Sequence, residues 1–221
     1  MPLIYPVGFL KSSIQSVAFT DSAIDLTDSV STYTFTSKAI GAAATNRVVV
    51  VCMMSLATSN NSFTGGTIGG VTATLVGSIT GTASNDCITG MMYAVVPTGT
   101  TATVVVNLSS STGQFRCQIA VYALNNLSSS TPVASQTTTT NNSAMSLSPG
   151  TGVIGVGAST DQFSSNPTYT WTNLTKDLDT AGEGANERYS SASAYNASGI
   201  SSVTANASAT TNFSAICATW T

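Results

Sequence analysis

Residues 91–124 read MMYAVVPTGTTATVVVNLSSSTGQFRCQIAVYAL: three apolar or alternating runs, parted by a Thr-Gly-Thr turn and a Ser-rich loop with Gly113. Each run has the length and the two-residue period of a β-strand. A degenerate copy closes the chain at residues 189–220, YSSASAYNASGISSVTANASATTNFSAICATW, with Gly99 falling on Gly199 and Cys117 on Cys217. A chain organised around a repeated triple of strands is expected to be all-β, with a second half that retraces the first.

The residues upstream of each triple support this. Residues 32–37 alternate, with Tyr33 and Phe35 on one face and threonines on the other. Residues 47–56 carry a continuous valine run, which suits a strand covered on both faces. A Gly-rich stretch at 60–70 reads as a loop, 71–76 alternates again, and 86–96 leads into the first triple. Residues 125–142 are polar and read as a connection. The order then restarts, with 144–147, 153–159 and 168–172 in the places of the earlier strands. Two half-motifs of five or six strands are each too thin to bury a face alone. The expected fold is therefore an antiparallel β-sandwich of jelly-roll type spanning 31–221. Half-motif 31–124, connection 125–142 and half-motif 143–221 make it up, each half contributing strands to both sheets. Two small sandwiches in tandem are the second arrangement.

Residues 1–30 differ. Leu3, Ile4, Tyr5, Val7, Phe9, Leu10 and Ile14 are apolar but aperiodic, and proline and glycine punctuate them. Two readings are open: an extended N-terminal arm that clasps its own sandwich or a neighbouring subunit, and an untidy first strand near residues 16–20.

Composition narrows the function. Only 7% of residues are charged, against about 25% in an ordinary domain, and roughly a third are Ser or Thr. The net charge of −3, with six scattered basic residues, lacks the footprint of a nucleic-acid or anionic-membrane binder. No secretory signal pattern opens the sequence. The weak charge gives little repulsion between molecules, which suits assembly. With no histidine in the chain, the Ser-His-Asp triad and most transition-metal sites are absent. Cys52, Cys87, Cys117 and Cys217 sit in strand-like runs without CxxC spacing, so zinc is not expected. Buried free thiols are the expected state, consistent with synthesis in a reducing cytoplasm, and a Cys117–Cys217 disulfide is the alternative.

Two acidic groups remain: Asp177, Asp179, Glu183 and Glu187 in a loop-like stretch, and Asp21, Asp25 and Asp28 in another. Solvated loop charge is the plain reading, while a calcium site and a hydrolytic carboxylate pair are the chemical ones. Neither group matches a specific ligand pattern, and no cofactor and no enzymatic activity are expected. Trp171 and Trp220, with Tyr169, Tyr189 and Tyr195, could form a glycan-stacking platform if they shared an exposed face; packing inside a core is the commoner use.

The segment TYTFTSKAIGAAATNRVVVVCMMS, followed by IGGVTATLV, MMYAVVPTGTTATVVVNL and RCQIAVYAL, resembles a recurrent β-domain of tailed-bacteriophage structural proteins. The residues that carry the likeness are Gly41 to Arg47 ahead of the valine run, the Ile68-Gly69-Gly70-Val71 turn and the Pro97–Thr100 hairpin. The resemblance implies a virion component displayed on the particle: a capsid decoration or cement protein, a head fibre or spike, or a tail-fibre module. It implies other virion proteins as partners, among them a major capsid protein or a tail or fibre component. A homo-oligomer, with a trimer favoured, follows as an expectation. The alternative is a carbohydrate-binding module that recognises host surface glycans through Trp171 and Trp220.

Overall fold

The structure, a computed structural model, describes residues 14–58, 60–81, 86–147, 152–163, 165–182 and 186–221. Among these every regular element is a β-strand. In the first half they are β1 (Ser16–Asp25), β2 (Thr32–Ala39), β3 (Val48–Ala57), β4 (Phe63–Ile68), β5 (Val71–Thr72), β6 (Thr74–Thr80), β7 (Asp86–Val95), β8 (Thr101–Leu108) and β9 (Gln114–Asn125). The second half holds β10 (Ala134–Thr138), β11 (Ala144–Ser146), β12 (Gly152–Gln162), β13 (Tyr169–Thr172), β14 (Thr175–Ala181), β15 (Glu187–Ile200), β16 (Ser202–Ala207) and β17 (Asn212–Trp220).

The strands form four antiparallel sheets. The first half builds an inner sheet, β1-β9-β3-β7-β6, and an outer sheet, β2-β8-β4-β5. The second half builds an inner sheet, β10-β17-β12-β15-β14, and an outer sheet, β11-β16-β13. The expectation that each half feeds both sheets of a single sandwich is therefore corrected. Each half closes its own two layers, and the two inner sheets then face each other.

The reason lies in the strand period. Along β3, Val49, Val51 and Met53 join the first outer core with Tyr33, Phe35, Val104 and Val106. The residues between them, Val48, Val50 and Cys52, point the other way and meet Ile154, Val156, Ala158, Ile216 and Trp220 of the second half in a central core. A third core fills the second sandwich with Met145, Tyr169, Val203, Phe213 and Ala215. Because both of its faces are apolar, β3 is buried at every position, as its valine run predicts.

Pairing registers define the correspondence between the halves. Val48 lies opposite Val95 and Leu124, and Ile154 lies opposite Tyr195 and Trp220. Ile154 thus stands in the place of Val48, and Trp220 in that of Leu124. Gly99 and Gly199 both have positive φ, 72° and 86°, Gly99 in the turn before β8 and Gly199 at the end of β15 just before β16. The cysteine correspondence fails: Cys217 faces Gly157 on β12 just as Val121 faces Val51 on β3, so Cys217 occupies the place of Val121. The loop between the last two strands is shorter in the second half, which shifts the last strand's residues relative to those of the first half.

Two further expectations change. The Gly-rich stretch 60–70 contains strand β4, and the polar connection contains β10, which pairs with β17. Residues 16–25 of the N-terminal segment form β1, paired along its length with β9. Thr20 donates to the carbonyls of Ala39 and Val121, and Asp21 accepts from the Ala39 amide.

Candidate functional site

The arm residues Leu3, Ile4, Tyr5, Val7, Phe9 and Leu10 lie outside the described residues. Ile14 is described: its side chain is 72% exposed, and its carbonyl accepts from the Asn126 side chain at 2.8 Å. Asn46, Val95, Leu127 and Ser128–Ser130 line a cavity of about 260 Å³. Phe19 and Leu26 are also partly exposed along and just beyond β1.

The two tryptophans do not come together. Trp220 is fully buried in the central core, edge-on to Tyr93 with ring centroids 6.4 Å apart, and its indole N–H donates to the Ser130 carbonyl. Trp171 is half-buried on the opposite face of the second inner sheet. There it lies over Gly157 and donates to the Ser190 hydroxyl at 2.9 Å. A Cβ at Gly157 would stand 2.7 Å from the Trp171 ring, so the glycine is what leaves room for the indole. Tyr169 and Tyr189 are buried and only Tyr195 is exposed. A shared Trp171–Trp220 platform is thereby corrected: Trp171 stands on the second outer sheet and packs on the third core, while Trp220 points from the second inner sheet into the central core.

The acidic stretch is not a loop either. Asp177 and Asp179 sit on β14 and Glu187 opens β15, while Glu183 lies outside the described residues. Each described carboxylate is engaged separately. Asp177 accepts from the Ser193 hydroxyl at 2.7 Å, and burial raises its pKa. Asp179 pairs with Lys176 and Arg188. Glu187 pairs with Arg116 of the other half and accepts from Tyr189. Among Asp21, Asp25 and Asp28, the first pairs with Lys38 and the others accept backbone amides. No group of three or more metal-ligating side chains converges among the described residues.

The four cysteines are free and buried. Cys117 belongs to the first outer core and Cys217 to the third, two inner sheets apart, so the alternative disulfide has no geometry to form. Burial pushes the Cys217 thiol up to about 12 and the other three also upward, which keeps all four protonated and unreactive.

Two arrangements escaped the sequence reading. Arg47 is fully buried, and it donates to the carbonyls of Val96, Thr98, Gly99 and Gly41 at 2.7–3.0 Å. One guanidinium thus ties the Gly41–Arg47 segment to the Pro97–Thr100 hairpin. The only sequence signal is a lone arginine opening an apolar run. The second is a group of buried oxygens in the second outer core. Ser159 Oγ, both carboxyl oxygens of Asp161 and Tyr169 OH have no hydrogen-bond partner among the described residues. These residues are 0%, 0% and 2% exposed.

No described helix is long and apolar enough to cross a membrane, a statement that leaves strand-built spans aside. Comparison with known proteins finds no matching family model, no matching curated protein and no matching solved structure.

Proposed function

We propose that the chain is a non-enzymatic structural protein of a tailed-bacteriophage virion. In this reading it is displayed on the particle surface as a capsid decoration or cement protein, or as a head-fibre or spike subunit. The observation that carries the reading is strand order. In the first half β1-β9-β3-β7 covers β2-β8-β4-β5, and in the second β10-β17-β12-β15 covers β11-β16-β13. We read this interleaving of early and late strands as that of a jelly roll, an architecture that recurs in viral capsid and lectin domains. Two such units stacked through their inner sheets form a block of four layers, suited to bearing load at a particle surface.

The attachment role falls to the N-terminal segment. Ile14, Phe19 and Leu26 expose apolar surface along its described end, and the sequence before them adds Leu3, Ile4, Tyr5, Val7, Phe9 and Leu10. Exposed apolar surface at a chain end favours association. Partners are other virion proteins and further copies of the chain, with a trimer favoured. The glycan-binding alternative loses its platform, since Trp171 and Trp220 occupy different layers.

Sedimentation equilibrium of the full chain beside a chain lacking residues 1–13 tests the proposal. A defined oligomer that falls to monomer on truncation is the expected result. Two well-behaved monomers would overturn assembly through this segment.

A further inference from the structure

We propose that Asp161 acts as a proton-held latch: while its carboxyl is neutral the second outer sheet closes tightly over the inner sheet, and ionisation loosens that closure.

The two halves of the chain act as each other's control. Ser55 occupies in the first half the place that Asp161 holds in the second, and its hydroxyl is satisfied, donating to the Phe115 carbonyl at 2.7 Å. Phe63 opens β4 opposite Leu108 as Tyr169 opens β13 opposite Ala207, and Met53 stands where Ser159 does. The second half has thus placed an acid and two hydroxyls where the first has one bonded hydroxyl and two apolar side chains. None of the three polar replacements finds a hydrogen-bond partner among the described residues. A fully buried carboxylate without donors is strongly disfavoured in its charged form.

The surrounding charges are committed elsewhere. Arg188 lies directly opposite Asp161 on β15, but its guanidinium bonds Asp179 and Asn166. Lys176 on β14 bonds Asp179 and the Tyr169 carbonyl. Asp177 bonds Ser193, and Glu187 pairs with Arg116. From the first half, Cys87 of β7 approaches, its thiol donating to the Asn212 carbonyl, with Asp86 next to it in the strand. On β17 the residue facing Asp161 is Phe213. No cation forms an ion pair with the carboxylate among the described residues, and burial, the largest cause, raises its pKa from 3.8 to about 7 while Thr210 and the charge of Arg188 pull the other way.

The sign follows from linkage. The folded chain holds this proton up to about pH 7 and the unfolded chain releases it near 3.8. The associated stability is complete below the lower value, declines as pH rises toward the upper one, and is absent above it. The chain has no histidine, so few other groups titrate across the upper part of that window.

The test is the melting temperature of the full-length protein and of Asp161→Asn from pH 5 to 8, with amide hydrogen exchange of β13 and β16. The wild type should lose about 5–10 °C across this range and lose protection in β13 and β16, while Asp161→Asn stays nearly flat. Parallel slopes for the two proteins would overturn the proposal. Recovery of the wild type alone at pH 8 on adding calcium or sodium chloride would also overturn it, by making a cation the occupant. If Asp161→Asn fails to fold, the double variant Asp161→Ser with Tyr169→Phe, which copies Ser55 and Phe63, replaces it under the same two outcomes.

Discussion

Arg47 joins two pieces of backbone some fifty residues apart through four hydrogen bonds, and its burial lowers the guanidinium pKa without removing its charge. Arg47→Met keeps the stem but leaves four carbonyls without their donor. Unpaired buried acceptors set the cost, so stability should fall by about 3 kcal/mol, read as a lower urea midpoint at unchanged slope. Arg47→Lys should recover only part of this, because a point charge cannot serve four carbonyls arranged around a planar fork. The tryptophans make a second contrast at this scale. Iodide should quench the half-buried Trp171 in Trp220→Phe but hardly touch Trp220 in Trp171→Phe. Trp220→Ala should cost about 3–5 kcal/mol by opening a cavity in the central core. Neither role was legible locally: an arginine before a valine run and a tryptophan near a chain end look alike whether buried or exposed.

Among the elements, β1 has the largest bearing on how the N-terminal segment is understood. Ser16–Asp25 pairs with β9 across a single irregularity between Phe19 and Asp21, and Thr20 and Asp21 fasten it to β2. Removing residues 1–13 leaves β1 and its pairing with β9 in place, so the melting temperature should fall only by what the lost assembly contributed. Extending the deletion to residue 30 should lower it by about 10 °C or more, because β9 then becomes a bare edge and the cores lose Val17, Ala23, Ile24 and Val30. The sequence left a first strand near residues 16–20 as one of two readings and did not decide between them, because its apolar residues do not alternate cleanly. An edge strand half-covered on both faces needs no strict period, so the pattern rule had nothing to register. β3 is the opposite case, since two buried faces demand apolar residues at every position and the valine run shows this openly.

At the scale of the whole molecule, the central core decides how the chain unfolds. Val48, Val50, Tyr122 and Leu124 from one half are buried only against Ile154, Val156, Ile216 and Trp220 from the other. Tyr122 donates to Ser191, and Thr89, Thr160 and Ser214 share hydroxyl bonds across the same boundary. Neither half can leave the other without exposing an apolar sheet face, so calorimetry should show one cooperative transition for the full chain. Two resolved transitions would mean that the halves are stable apart. The amino-acid sequence by itself determined that the chain is all-β, that its second half repeats its first, and that the valine strand is covered on both sides, because strand period and turn residues are local properties. Only the tertiary structure decided which faces meet. Alternation says that a strand has two faces but not which sheet lies against each, so the stacking of two sandwiches, the separation of the tryptophans and the orphaned carboxyl of Asp161 all depended on packing between residues far apart in the chain.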